Sequence, residues 1–173
     1  MPNTYTLISS NVLASSASSV TFSAIPATYT DLVLRYSTRT DYADYRILGA
    51  LRFNSDTANN YSNTILSKVD NTVTSYKNSN NSFSFNVESD GTLSTSNTFG
   101  SGEIYVPSYT ASQNKPYSDF TLMENNQVLN QQIQVIADLW RNTAAITSVT
   151  LFPGGGANFI TGSSFYLYGI KNS

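Results

Sequence analysis

The chain has 173 residues, 12% of them charged, a net charge of −2, and neither Cys nor His. That leaves no material for a disulfide or for a thiol or Ser-His-Asp nucleophile, speaks against zinc, which draws on those two residues, and gives no field for nucleic acid held by counterion release. Ser, Thr and Asn make up 65 residues, but Leu, Ile, Val and Phe still number 42, above the roughly 20% share below which chains stay disordered, so one folded domain spanning 1–173 is expected.

Period two, the signature of a half-buried strand, runs through the sequence. The opening MPNTYTLISSN has no basic or long apolar region of a secretory signal, and 5–9 reads as a first strand. Alternation resumes at Ser19-Val20-Thr21-Phe22, and Leu32, Leu34 and Tyr36 share one face of 32–37. Strands follow at 46–53 and 65–69. In Ser82-Phe83-Ser84-Phe85-Asn86-Val87 the apolar Phe83, Phe85 and Val87 form one face and Ser and Asn the other. Further strands are read at 102–106 and 117–123. The segment 128–140 fits two periods. Leu129, Ile133, Ile136 and Trp140 have helical spacing, whereas Ile133, Val135, Ala137 and Leu139 alternate, and the surrounding β pattern favours a strand. Strands at 146–151 and 164–170 complete the chain, the last with aromatics on both faces.

Turn signals separate these runs at Asn54-Ser55-Asp56, 78–81, Asp90-Gly91, Pro107-Ser108 and Pro153-Gly154-Gly155-Gly156. About ten short strands joined by polar turns predict an all-β fold, a single-domain antiparallel β-sandwich of jelly-roll-like kind. Many Ser and Thr fall on the expected outer faces and Asn in the turns. No apolar run reaches the ~18 residues of a membrane helix. Edge strands with so little charge to protect them need pairing or cover, so association with neighbouring subunits is expected.

Candidate chemistry is sparse. Asp41 with Asp44 or Asp31 could form a carboxylate pair, but nothing in the sequence marks a glycosidase. Asp41, Asp44, Asp56 and Asn54 offer oxygen donors without a calcium-loop pattern, and turn chemistry accounts for them. Neither cofactor nor metal is expected. Four of the five Arg lie between Arg35 and Arg52: Arg35, Arg39, Arg46 and Arg52, with Tyr42 and Tyr45 among them. Arg and Tyr are enriched at interfaces, so these six residues are the candidate partner interface; an exposed strand pair with cross-strand ion pairs is the competing explanation. Tyr61, Tyr76, Tyr105, Tyr109, Tyr117, Tyr166 and Tyr168, with Tyr42 and Tyr45, could also stack on sugar rings or simply pack.

Several phrases together resemble small virion proteins of tailed bacteriophages, of the kind carried by phages of cyanobacteria and other aquatic bacteria. They are Tyr5-Thr6-Leu7-Ile8-Ser9, the run 20–34 (VTFSAIPATYTDLVL), Leu51-Arg52-Phe53-Asn54 followed by Asn60-Tyr61-Ser62, the run 144–151 (AAITSVTL), and 165–171 (FYLYGIK). The resemblance covers most of the chain and is weakest between 67 and 95. It implies a non-enzymatic structural protein of the virion, made in the host cytoplasm, with a jelly roll or related sandwich. The role it implies is a capsid decoration (cement) protein contacting the major capsid protein, often as a homotrimer. A tail-fibre or adhesin module binding host-surface glycan is the alternative. It assigns no site residue.

Overall fold

The computed structural model describes residues 4–171. Among them lie twelve strands and no helix: β1 (Tyr5–Val12), β2 (Val20–Phe22), β3 (Asp31–Thr38), β4 (Arg46–Phe53), β5 (Tyr61–Val69), β6 (Thr72–Asn81), β7 (Ser84–Asp90), β8 (Gly100–Val106), β9 (Lys115–Met123), β10 (Gln132–Trp140), β11 (Val149–Phe152) and β12 (Ser164–Ile170). They form an eight-stranded sheet, β1-β12-β3-β8-β9-β10-β5-β6, and a four-stranded sheet, β2-β11-β4-β7. The pairing is antiparallel throughout.

This order contains a jelly roll. The strands β1-β12-β3-β8 oppose β2-β11-β4-β7, and each set interleaves strands from the two ends of the chain, as two folded Greek keys do. Two further strand pairs are spliced in. β5 and β6 leave the chain between β4 and β7, and β9 and β10 between β8 and β11; all four extend the larger sheet beyond β8.

The core follows from period two. Leu32 and Leu34 of β3, Ile104 of β8 and Phe165 and Leu167 of β12 point inward against Val20, Phe22, Leu51, Phe53, Val149 and Leu151 of the smaller sheet. Each such side chain, fully buried, contributes about 1.5–3 kcal/mol. Tyr36 crosses over Gly102, where a Cβ would meet its hydroxyl at 2.3 Å. Its Oη donates to the Asn86 carbonyl at 2.6 Å, tying β3 to β7 across the sandwich.

Two expectations are corrected. The stretch 78–81 is not a turn but the end of β6, a strand exposed on nearly every residue; an edge strand with little buried face leaves no alternation to read. In β7 the faces are reversed: Ser84 and Asn86 are buried while Phe85 is only half-buried. Phe83, Phe85 and Phe152 pack edge-to-face on the outside of the smaller sheet, at 4.8 and 5.8 Å from Phe83. A bulge opposite Gly49 and Ala50 then turns Val87 inward as well. Beside the many outward Ser and Thr, the strand residues Ser67, Ser84, Ser89, Thr38 and Thr121 are buried. The segment 128–140 resolves into a loop followed by the strand β10.

Candidate partner interface

The clustered arginines go to four different places, because β3 and β4 lie in different sheets. Arg35 stands on the outer face of the larger sheet. It pairs with Glu103 at 2.7 Å and lies 5.8 Å from the ring centroids of both Tyr5 and Tyr168. Arg52 lies on the outer face of the smaller sheet, 4.7 Å from the Phe152 ring and 5.7 Å from that of Phe83, with its Nε donating to the Ser82 carbonyl. Arg46 reaches between the sheets, donating to Gln132 and standing 3.6 Å from Glu88. Arg39 is buried at the end of β3.

Arg39 joins Tyr42 and Tyr45 at one end of the sandwich. Its guanidinium donates to the carbonyls of Thr95, Thr98 and Ser94 at 2.8, 2.9 and 3.1 Å. The carbonyls of Tyr42 and Tyr45 accept the amides of Thr92 and Gly91, each at 2.8 Å, so loop 41–45 and loop 91–99 are laced together. Tyr45 borders an open hollow of about 200 Å³ with Gln127, Val128, Leu129 and Asn130. Val128 and Leu129 are exposed, as is Leu93 within loop 91–99. Replacing Arg39 by Ala strands the Thr98 and Ser94 carbonyls and leaves the Thr95 carbonyl to Thr98 alone, at about 1.5–3 kcal/mol per lost charged bond before relaxation. The expected result for Arg39→Ala is faster amide exchange across 91–99 and a lower melting point. Unchanged exchange there would contradict the role assigned to it.

The Asp residues weighed for ligation or catalysis are used locally. Asp41 accepts from the backbone and side-chain nitrogens of Asn158 at 2.7 and 2.8 Å, which hold its carboxyl below the usual range. Asp44 accepts from the Tyr45 amide. Asp31 accepts from the Tyr105 hydroxyl and the Ser108 amide at 2.9 and 2.8 Å. Among the described residues no three acidic side chains converge as a metal would require.

The sequence reading missed a polar layer between the sheets. Its members come from the inner faces of β5, β7, β9 and β10: Asn63, Ser67, Ser84, Asn86, Glu88, Asp119, Gln134 and Asp138, all buried. Ser84 and Asn86 donate to the two oxygens of Asp138 at 2.5 and 3.1 Å. Gln132 and Gln134 donate to Ser67 at 3.0 and 3.3 Å. No protein donor comes within hydrogen-bonding geometry of either oxygen of Glu88 or Asp119.

Desolvation therefore dominates the carboxyls. It pushes Glu88 to about 7 despite the opposing charge of Arg46. It also pushes Asp138 to about 7 against its Ser84 and Asn86 bonds. Asp119 is driven well above its ordinary range by desolvation and then by the neighbouring Asp138 charge. All three are buried, with Asp138 beside an open hollow of about 170 Å³ that Asn63 and Lys77 also line. A one-residue register slip would turn the layer outward, which is the signal that period two alone cannot resolve.

The outer side of the same strands is apolar. Leu66, Phe120, Leu122, Ile133 and Val135 are all exposed, at 37–53%. An antiparallel sheet with one solvated face ordinarily presents polar residues there, so this half of the sandwich is patterned in reverse.

No family model matches the chain, and no curated protein matches it. Among solved structures, the carbohydrate-binding module CBM66 from Bacillus subtilis aligns over 97% of this chain and 94% of its own length, with 9% identity and a TM-score of 0.27. The all-β sandwich assignment stands on the strand order itself.

Proposed function

We propose that this chain is a non-enzymatic structural protein of a tailed-bacteriophage virion, a capsid decoration protein that stabilises the head through contacts with the major capsid protein and with copies of itself. The observation that carries this reading is the exposed apolar surface on a rigid scaffold. Phe120, Val135 and Leu66 on the large sheet, and Leu93, Val128 and Leu129 at the loop end, are left to solvent by the chain's own fold. Surface of this kind marks contact with other macromolecules. The hollow beside Leu122 and Ile133 is about 240 Å³ and open, below the roughly 300–1,000 Å³ of small-molecule sites. The phrases that resemble virion proteins fall largely on jelly-roll strands: β1, β2, β3, β4, β11 and β12. Quantitative mass spectrometry of purified particles is expected to find hundreds of copies per virion; about ten or fewer would exclude a shell-covering role.

A glycan-binding module of a tail fibre is the second reading. It is favoured by one observation, that Tyr166 and Tyr168 of β12 share the outer face of the large sheet with Arg35 and Tyr105. Arg35 already covers the Tyr5 and Tyr168 rings, which takes two stacking faces out of use. Binding of the intact protein on a host-glycan array, lost in Tyr166→Ala, would establish this reading over the first.

A further inference from the structure

We propose that the outer face of β9, β10, β5 and β6 is a self-association surface, occupied by the same face of a second copy of this chain. The inference does not depend on the particle location proposed above.

Strand register places the outward side chains in rows. One row runs Glu103–Phe120–Val135–Leu66–Ser75 from β8 to β6. The row on one side is Ser101–Leu122–Ile133–Lys68–Val73, and on the other Tyr105–Ser118–Ala137–Thr64–Lys77. The centre is thus apolar and continuous over β9, β10 and β5, with Val73 extending it onto β6 at 64% exposure. Inward positions on these strands mix polar side chains such as Asp119, Gln134 and Asp138 with apolar ones such as Ile65, Ile136 and Trp140. The outward side is therefore as apolar as the buried one, as it is when a second body covers it.

Three features make a second copy the occupant. Charge is asymmetric across the patch: Glu103, already paired with Arg35 of its own chain, flanks it on β8, while Lys68 and Lys77 flank it on β5 and β6. A two-fold axis lying in the interface and running along β10 leaves the rows in register. It sets Val135 against its own mate, Phe120 against Leu66 of the other copy, and Glu103 within one row of the other copy's Lys77. Each Glu103 then gains one base from the other copy beside its own Arg35, and the Lys68 stem lies along Leu122 while its ammonium stays on the Asp70 carbonyl at the rim.

Second, the area suffices. β9 and β10 have nine residues each, so four strands at ~4.8 Å spacing and ~3.4 Å per residue make a footprint of about 600 Å², at the lower end of the roughly 600–1,000 Å² per partner of a stable interface. Third, two twisted sheets stack face to face by aligned packing with strands within about 30°, which an axis near β10 produces.

The test uses the full chain. Sedimentation from about 1 to about 100 μM, a range that brackets ordinary protein–protein affinities, is expected to give twice the 18.9 kDa chain mass. Val135→Cys introduces a lone thiol into a chain that has none. Sheets stack ~10 Å apart, too far for a disulfide but within reach of a short bismaleimide, which is expected to join two Val135→Cys chains efficiently. Ser9→Cys on β1, at the far edge of the same sheet, is expected to remain unjoined.

Val135→Lys sets like charges against each other on the axis. It is expected to weaken the pair about 30-fold or more, as loss of a central contact does, with an unchanged circular dichroism spectrum. If that variant unfolds, the cross-linking pair still decides. A chain that sediments at 18.9 kDa throughout, a threefold mass of the kind the resemblance implies, or equal cross-linking at both positions overturns the inference. None of those results touches copy number in the virion, and absence from the virion would leave the two-fold pair standing.

Discussion

Thermal unfolding is expected to show the protein most stable between about pH 4 and 5 and progressively less stable toward pH 8, the reverse of common acid denaturation. Glu88 and Asp138 sit near 7 in the folded chain and burial holds Asp119 well above its ordinary range, whereas unfolded Glu and Asp titrate near ~4.3 and ~3.9. Between those limits the native state binds more protons than the unfolded one, so stability falls as pH rises. The contribution is fully present below the unfolded values and is lost on passing through the folded ones.

At ~1.4 kcal/mol per pH unit and proton, each carboxyl near 7 withdraws on the order of 4 kcal/mol across the window. Asp119 and Asp138 repel one another, so their losses are not additive. On the acid side Asp56 acts oppositely. Desolvation pushes its carboxyl up, but donors from Asn60, Trp140 and Ala58 outweigh this and hold it low. Its contribution is present above about 3.9 and lost below, which sets the lower limit of the optimum.

Differential scanning calorimetry at constant ionic strength checks the profile, and Asp138→Asn is the informative variant. Asn cannot ionise, and the Asn86 side-chain oxygen, which lacks a donor now, can accept the new amide. The variant is expected to flatten the pH profile and to exceed the wild type at pH 8 by on the order of 2 kcal/mol or more, since the buried charge is gone. A midpoint that climbs from pH 5 to 8, or an Asp138→Asn chain less stable than wild type at pH 8, would refute the assignment.

What the sequence made legible is the part of the fold whose faces are chemically distinct. Leu32 and Leu34 against Arg35 state both the strand and its inner side, 164–170 with aromatics on both faces states the strand alone, and β4 was placed residue for residue at 46–53. Legibility failed where polarity stopped meaning outside. In β5, β7, β9 and β10 the inner positions interleave Ser, Asn, Gln, Asp and Glu with apolar residues. Alternation found the strands β9 and β10 but pointed no reliable way across the sheet.

The arginine cluster illustrates the other limit. Sequence proximity from 35 to 52 became separation because a jelly roll sends consecutive strands to opposite sheets. Asp119 and Asp138, 19 residues apart in the chain, were brought close enough to repel one another because β9 and β10 are neighbours. No local spacing encodes that meeting.

Trp140 is where truncation is expected to cost most. It is fully buried and is the one Trp in the chain. Its ring stacks near Tyr61 at 6.4 Å and tilts against Phe53 at 5.5 Å, so it joins β10 of the large sheet to β4 of the small one. Its Nε1–H donates to Asp56 Oδ2 at 2.7 Å, and Asp56 in turn accepts from the Ala58 amide and the Asn60 side chain, each at 2.8 Å. One side chain therefore fastens an inter-sheet aromatic cluster and the turn after β4.

Trp140→Ala is expected to lower the unfolding free energy by about 3–5 kcal/mol through lost burial and the cavity left behind. Trp140→Phe retains most of the ring contact but strands a partly buried carboxylate, a loss of about 1.5–3 kcal/mol for a bond to a charged group. Asp56→Asn keeps the ring and an acceptor and is expected to cost less than either. Urea titration followed by far-ultraviolet circular dichroism measures all three without relying on the tryptophan signal they alter. An order in which Trp140→Phe matches the wild type would show that the aromatic packing alone holds this corner and that the bond to Asp56 adds nothing; an order in which Asp56→Asn is the worst would place the corner's stability in the turn rather than in the ring.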